Sequence, residues 1–126
     1  MAIDHLSQAV IAAMTRHARD MASKSPPEEA VGLLIKGEYV ACQNSAAKPD
    51  KGFRLAANIF SAYQGQGVEA IIHSHPGGPA CPSAHDMRQQ ITTNLPWIIM
   101  VTPVAGGAPI KEEWFSWGGV PRLDLT

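Results

Sequence analysis

The chain has no concentration of positive charge. Its ten lysines and arginines are spread from Arg16 to Arg122 and stand against eleven acidic residues, for a net charge of −1. Without a basic stripe it cannot neutralise a run of phosphates, so no nucleic-acid partner is expected. Cysteine is scarce: Cys42 and Cys81 form no CxxC pair, and no signal-peptide pattern opens the chain. Both are expected as free thiols in the reducing cytoplasm of a soluble protein. The longest apolar runs, such as PWIIMVTPV, fall far short of the roughly 18–20 residues that a membrane span needs, so no span is expected. Internal repeats and low-complexity stretches are also missing. What is left is 126 residues that are 45% hydrophobic, enough for one globular core and too few for two, so residues 1–126 read as a single domain.

The pattern is one of alternating helix and strand. Residues 4–23 place Leu6, Val10, Met14, Ala18 and Met21 at spacings of three and four, which predicts an amphipathic helix capped by Asp4 or Ser7. Ser25-Pro26-Pro27 ends it, because proline cannot continue the ladder. AVGLLIKGEYVACQN holds two short apolar runs split by Lys36-Gly37-Glu38, which predicts a strand, a tight turn and a returning strand. A polar loop over 44–52 leads to LAANIFSAYQGQG, a short helix stopped by Gly65 or Gly67. VEAIIHSH reads as a buried strand and SAHDMRQQITTNL as a helix capped by Ser83. PWIIMVTP is a second buried strand, and EEWFSWG a last one. The sum is an α/β fold with a mixed, mainly antiparallel sheet at its core, a long N-terminal helix and two shorter helices.

Three of the five histidines and an aspartate fall within HSHPGGPACPSAHD, residues 73–86. His73 and His75 lie two apart at the end of a strand, where alternate side chains share a face, so both imidazoles aim into one space. The Pro/Gly turn that follows can bring Asp86, in the first turn of the next helix, back towards them. Two imidazole nitrogens, one carboxylate oxygen and an open fourth position describe a catalytic zinc site; a structural one would be closed by four protein ligands. The spacing alone leaves open a hydrogen-bonded loop tied by the same three side chains. Hydrolysis at such a site needs a base. Glu28 and Glu29 precede the strand AVGLLI and can supply one, or can be a solvated acidic pair.

These segments resemble the JAMM (MPN+/JAB1) metalloprotease family. His73, Ser74, His75, Pro76, six residues, Ser83, two residues and Asp86 fit that family's signature without insertion or deletion. Pro27-Glu28-Glu29-Ala30-Val31-Gly32 fits its upstream proline-x-glutamate-x-x-glycine element, which selects Glu29 over Glu28. Over about residues 25–102 the likeness is to the branch at the N-terminus of lambda-type phage tail assembly proteins, where the JAMM domain precedes a cell-wall peptidase domain of the NlpC/P60 type. That second domain has no counterpart in this sequence. Val31 stands where many relatives have cysteine.

The resemblance implies a zinc-dependent peptidase or isopeptidase with one Zn2+ per chain, held by His73, His75 and Asp86. Glu29 would move the water's proton, and Ser83 would hydrogen-bond the developing oxyanion, a role that stands beside that of a plain helix N-cap. Ser74 should point the other way. Cys81 is a bystander thiol, His85 faces solvent or a substrate groove, and His5 and His17 need no special role. Trp97, Trp114 and Trp117 suit a core or an interface. The implied partner is a protein or peptide substrate, such as a phage tail component or a ubiquitin-like protein. The implied setting is a bacterial host's cytoplasm or a phage tail. A different class of function, a structural tail-tip module that keeps the site without turnover, fits the same residues.

Overall fold

A computed structural model describes residues 5–46, 48, 53, 57–79, 81–104, 113–117 and 124–125. The long amphipathic helix is α1, Gln8–Ala22. Ser7, not Asp4, caps it: the Ser7 side chain accepts a hydrogen bond from the Val10 N–H, satisfying one of the helix's first free donors. The helix starts later than its apolar pattern, because His5–Leu6 form a two-residue strand, β1. Parallel to β1 lies β7, Asp124–Leu125, a pairing across almost the whole chain with no local signal in the sequence.

The predicted hairpin forms as β2, Val31–Ile35, and β3, Glu38–Cys42, joined through Lys36-Gly37. Next come α2 (Ala57–Gln64), β4 (Val68–Pro76), α3 (Ala84–Thr93), β5 (Trp97–Thr102) and β6 (Glu113–Trp117). The five-stranded sheet has the order β3-β2-β4-β5-β6, with β4 and β5 parallel and the other three pairings antiparallel. The adjacent strands β4 and β5 are buried along almost their whole length because both faces of the sheet are covered.

Strand periodicity sorts the residues between two layers. On one face Leu6, Val10 and Met14 pack on Leu34, Ala70, Ile72 and Ile98, and Ala18 packs with Ala30 and Met100. On the other, Val31, Leu33, Ile35, Ile71 and Trp97 gather with Phe53, Phe60, Tyr63 and Leu95. Trp97 is thus a core residue, its indole N–H donating to the Thr93 hydroxyl at 2.9 Å. The side chains of His5, Trp114 and Trp117 lie outside the described set.

One close approach explains the glycine of the upstream element. The ring of Tyr39 lies on Gly32, so that a Cβ there would run into ring carbons and the hydroxyl. The Tyr39 hydroxyl is also within 2.6 Å of His17 Nδ1 on α1, which gives that histidine a structural partner.

Candidate metal centre

His73 and His75 fall on the sheet face opposite α1, together with Ile71 and Trp97. His73 is wholly buried, its ring 4.6 Å from that of Phe53 and edge-on to Trp97 at 5.5 Å. Past His75 the chain reverses through Gly77 and Gly78, at φ +78° and +84°, values that residues with a Cβ seldom adopt. The reversal is pinned by Gly77 N–H to the Thr102 carbonyl at 2.7 Å and Gly78 N–H to the His75 carbonyl at 3.0 Å. It delivers Ser83 to the head of α3 as one half of a capping box. The Ser83 hydroxyl accepts from the Asp86 N–H, and the Asp86 carboxylate accepts from the Ser83 N–H, both at 3.0 Å.

That box turns the buried Asp86 carboxylate back to the histidines. Asp86 Oδ2 lies 3.1 Å from His75 Nε2 and 3.3 Å from His73 Nε2, and the two imidazole nitrogens are 3.2 Å apart. Three donor atoms thus stand at the corners of a nearly equilateral triangle. Ligands at about 2.0–2.1 Å in a tetrahedral zinc site lie about 3.3 Å from one another, so this triangle has the size of one face of that tetrahedron.

The tautomer points the same way. His75 Nδ1 is 2.8 Å from the Pro79 carbonyl, which can only accept, so Nδ1 carries the proton and a neutral His75 turns the lone pair of Nε2 towards the Asp86 oxygen. Lone pair against lone pair at 3.1 Å requires a positive charge between or on the partners. In a metal-free chain a proton does this. Burial lowers the His75 pKa, but the hydrogen bonds to Asp86 and to the Pro79 carbonyl, with the charge of Glu29, outweigh it and the net shift is upward. Burial likewise pushes Asp86 up, yet the hydrogen bonds from both imidazoles and the Ser83 N–H hold its carboxyl well below the usual carboxylate range. Burial lowers His73 against the pull of Asp86. The chemistry of the donor set, two imidazole nitrogens and one ionised oxygen with a second hydrogen bond behind His75, fits a divalent cation.

Glu29 arrives from the residues just before β2. Its carboxylate and the His73 and His75 donor atoms lie within 4.8 Å of one another. Burial, opposed by His75 and reinforced by Asp86, raises its pKa to about 7. Glu28 goes elsewhere, pairing with Lys24 at 3.5 Å. The two adjacent glutamates are thus separated by geometry, one to the centre and one to the surface.

Of the remaining candidates, Ser83 is exposed at the centre's edge as the cap of α3, its hydroxyl oxygen accepting from the Asp86 N–H. Cys81 is exposed in the turn, Cys42 is half-buried, and both are free thiols. His85 is exposed. Ser74 turns away from the imidazoles, and its hydroxyl accepts from the Ala30 N–H at 2.8 Å. Asn44 was not singled out by the sequence pattern. Its amide donates to the Glu29 carbonyl at 2.9 Å, and only its place at the start of a polar loop hinted at a role. Among the described residues no helix is long and apolar enough to cross a membrane.

A sheet-borne histidine pair, a helix-borne aspartate and a glutamate just ahead of the neighbouring strand define an α/β domain with a metal-binding-like centre. The chain belongs to the family described as prokaryotic homologs of the JAB domain, whose match covers residues 7–117. It is 33% identical over 103 residues to tail tip assembly protein K of Escherichia phage N15, a match spanning 78% of this chain and 41% of that protein. The chain thus accounts for less than half the length of that relative. The fold is also that of a Desulfitobacterium hafniense protein solved in solution, with a TM-score of 0.68, 22% identity, and coverage of 98% of this chain and 93% of that one.

Proposed function

We propose that this protein is a zinc-dependent peptidase or isopeptidase of the JAMM type that acts on a protein component of a phage or prophage tail. The observation that carries the reading is the triangle of His73 Nε2, His75 Nε2 and Asp86 Oδ2 with edges of 3.1–3.3 Å, bordered by the carboxylate of Glu29. The likeness to a tail tip assembly protein supports the tail setting.

His73, His75 and Asp86 would hold a zinc ion, which would supply Lewis acidity towards water and a substrate carbonyl. The chain's own groups do the rest. Glu29, poised near neutrality, takes a proton from the attacking water and delivers it to the departing amine, as a base matched to its working pH does best. The Ser83 hydroxyl, whose oxygen already accepts from the Asp86 N–H, donates to the oxygen that gains charge as the amide carbon becomes tetrahedral. The Pro79 carbonyl holds the His75 ring in the tautomer that leaves Nε2 free.

The test is elemental analysis of chelator-treated and zinc-reloaded protein, followed by a cleavage screen of tail proteins and ubiquitin-like fusions. One zinc per chain in wild type, lost in His75→Ala, is expected. Glu29→Gln is expected to keep the zinc and lose cleavage. Zinc retained by His75→Ala would refute the ligand set. Normal phage assembly and infection with Glu29→Gln would turn the reading towards a tail-tip structural module that keeps its metal without turnover.

A further inference from the structure

We propose that Ser74 and Asn44 are positioning residues that clamp the peptide unit between Glu29 and Ala30, and so hold the Glu29 carboxylate at the rim of the histidine–aspartate triangle. The inference rests on the reading of Glu29 as the base given above. It answers a question left by the motif: why a hydroxyl residue stands between two metal ligands while pointing away from them.

The register of β2 against β4 ends with Val31 opposite His73. Just beyond it the Ser74 N–H still donates to the Ala30 carbonyl at 3.0 Å. The buried Ala30 N–H has passed the last regular pair, and a buried amide needs an acceptor. Ser74 Oγ provides one at 2.8 Å, across 44 residues of sequence. Strand alternation places this hydroxyl on the α1 side for the same reason that it places both imidazoles on the other.

The other pole of the same peptide unit is the Glu29 carbonyl, which accepts from Asn44 Nδ2 at 2.9 Å. The Asn44 amide is itself oriented, since its Oδ1 accepts from the Ala46 N–H at 3.0 Å. One peptide plane is therefore gripped by a side chain at its C=O and by another at its N–H. Holding that plane fixes the Glu29 Cα and narrows ψ of Glu29 and φ of Ala30, and so restricts the direction in which the Glu29 side chain leaves the backbone. Because Ser74 sits between the two ligands on one strand, the base and the ligand pair move as a single body. Preorganisation of this kind costs nothing at the moment of reaction.

The experiment labels the glutamate carboxyl carbons and the histidine rings of wild type, Ser74→Ala, Ser74→Thr and Asn44→Asp, and follows both by NMR as zinc is added. Asn44→Asp removes the donor but keeps the acceptor for Ala46. In all four proteins His73 and His75 are expected to shift up to one equivalent of zinc. The zinc-induced shift of Glu29, full in wild type and Ser74→Thr, is expected to fall below half in Ser74→Ala and Asn44→Asp. The Ala30 amide is expected to exchange at least tenfold faster in Ser74→Ala than in Ser74→Thr. An undiminished Glu29 shift in either variant removes that residue from the clamp, and in both overturns it. If Ser74→Ala does not fold, Asn44→Asp, at a half-buried loop position, decides. If zinc moves no histidine signal in wild type, it is the metal reading that falls. The clamp is then judged on the Ala30 amide, whose unchanged protection in Ser74→Ala would overturn it.

Discussion

Replacing Gly32 by alanine adds one methyl group to a buried strand, and its cost is set by a single neighbour. The new Cβ would lie inside contact distance of the Tyr39 ring and hydroxyl. Tyr39 cannot simply lean away: it packs against the Leu34, Ala70 and Ile72 cluster, and its hydroxyl is held at 2.6 Å from His17 Nδ1. Forcing a ring out of a packed layer costs about 1–3 kcal/mol, and loosening the hydrogen bond adds about 1 kcal/mol. Against this, alanine for glycine in ordinary strand backbone restricts the unfolded chain and returns about 0.4–1 kcal/mol. The net expectation is a loss of about 2 kcal/mol, read as a lower urea midpoint at unchanged slope. In a Tyr39→Ala background the obstacle is gone and only the unfolded-state term remains. The same Gly32→Ala change should then stabilise by about 0.5 kcal/mol, a reversal of sign that a double-mutant cycle reads directly. Zinc binding should survive in every member, since Gly32 and the imidazoles face opposite sides of the sheet. A cost that is the same in both backgrounds would refute the assignment of Gly32 to Tyr39.

Further predictions concern the centre. Ser83→Ala should lose about 1 kcal/mol by removing the cap of α3, Ser83→Gly only a few tenths, and Ser83→Thr almost nothing; equal losses in alanine and glycine variants by urea unfolding would argue against the capping account. If the hydroxyl also serves the oxyanion, Ser83→Gly should reduce kcat about 10²–10³-fold while remaining folded, and a kcat within threefold of wild type would leave only the cap. In the metal-free protein the contribution of Glu29 should fall by about 1 kcal/mol between pH 6.5 and 8, read as the stability difference between wild type and Glu29→Gln across that range. Glu29, raised to about 7, and His75, raised above its ordinary value, hold protons in the folded chain that the unfolded chain has already released, so their contribution disappears as pH rises through the folded values. A difference between wild type and Glu29→Gln that stays constant from pH 6.5 to 8 would contradict it. Asp86→Asn should abolish tight zinc binding in equilibrium dialysis, by replacing an ionised ligand with a neutral amide, while leaving a side-chain acceptor for the Ser83 N–H.

Much of this was legible in the chain because it depends on near neighbours. The two-residue period put His73 and His75 on one face. The capping box needs only Ser83 and Asp86 three residues apart, and the hairpin only Lys36-Gly37 between apolar runs. The choice of Glu29 over Glu28 came from likeness to a family. Its physical reason became visible only once Lys24 was seen to take Glu28. The start of α1 was misplaced because Leu6 continues the helix's apolar stripe while belonging to a strand whose partner is Leu125.

What the sequence by itself determined is therefore the inventory of elements and the short-range alignment of donors: a strand that presents two imidazoles, a turn, and a helix that begins with a carboxylate. The tertiary structure alone decided how those donors meet and what steadies them. The edges of the triangle depend on how far residues 77–83 reverse, the seat of Glu29 on Ser74 and Asn44, and the need for Gly32 on a tyrosine from the neighbouring strand. The physical reason is common to all three. Local spacing is imposed by backbone geometry that every chain shares, whereas contacts between distant residues depend on strand register and side-chain packing, which exist only once the sheet has assembled.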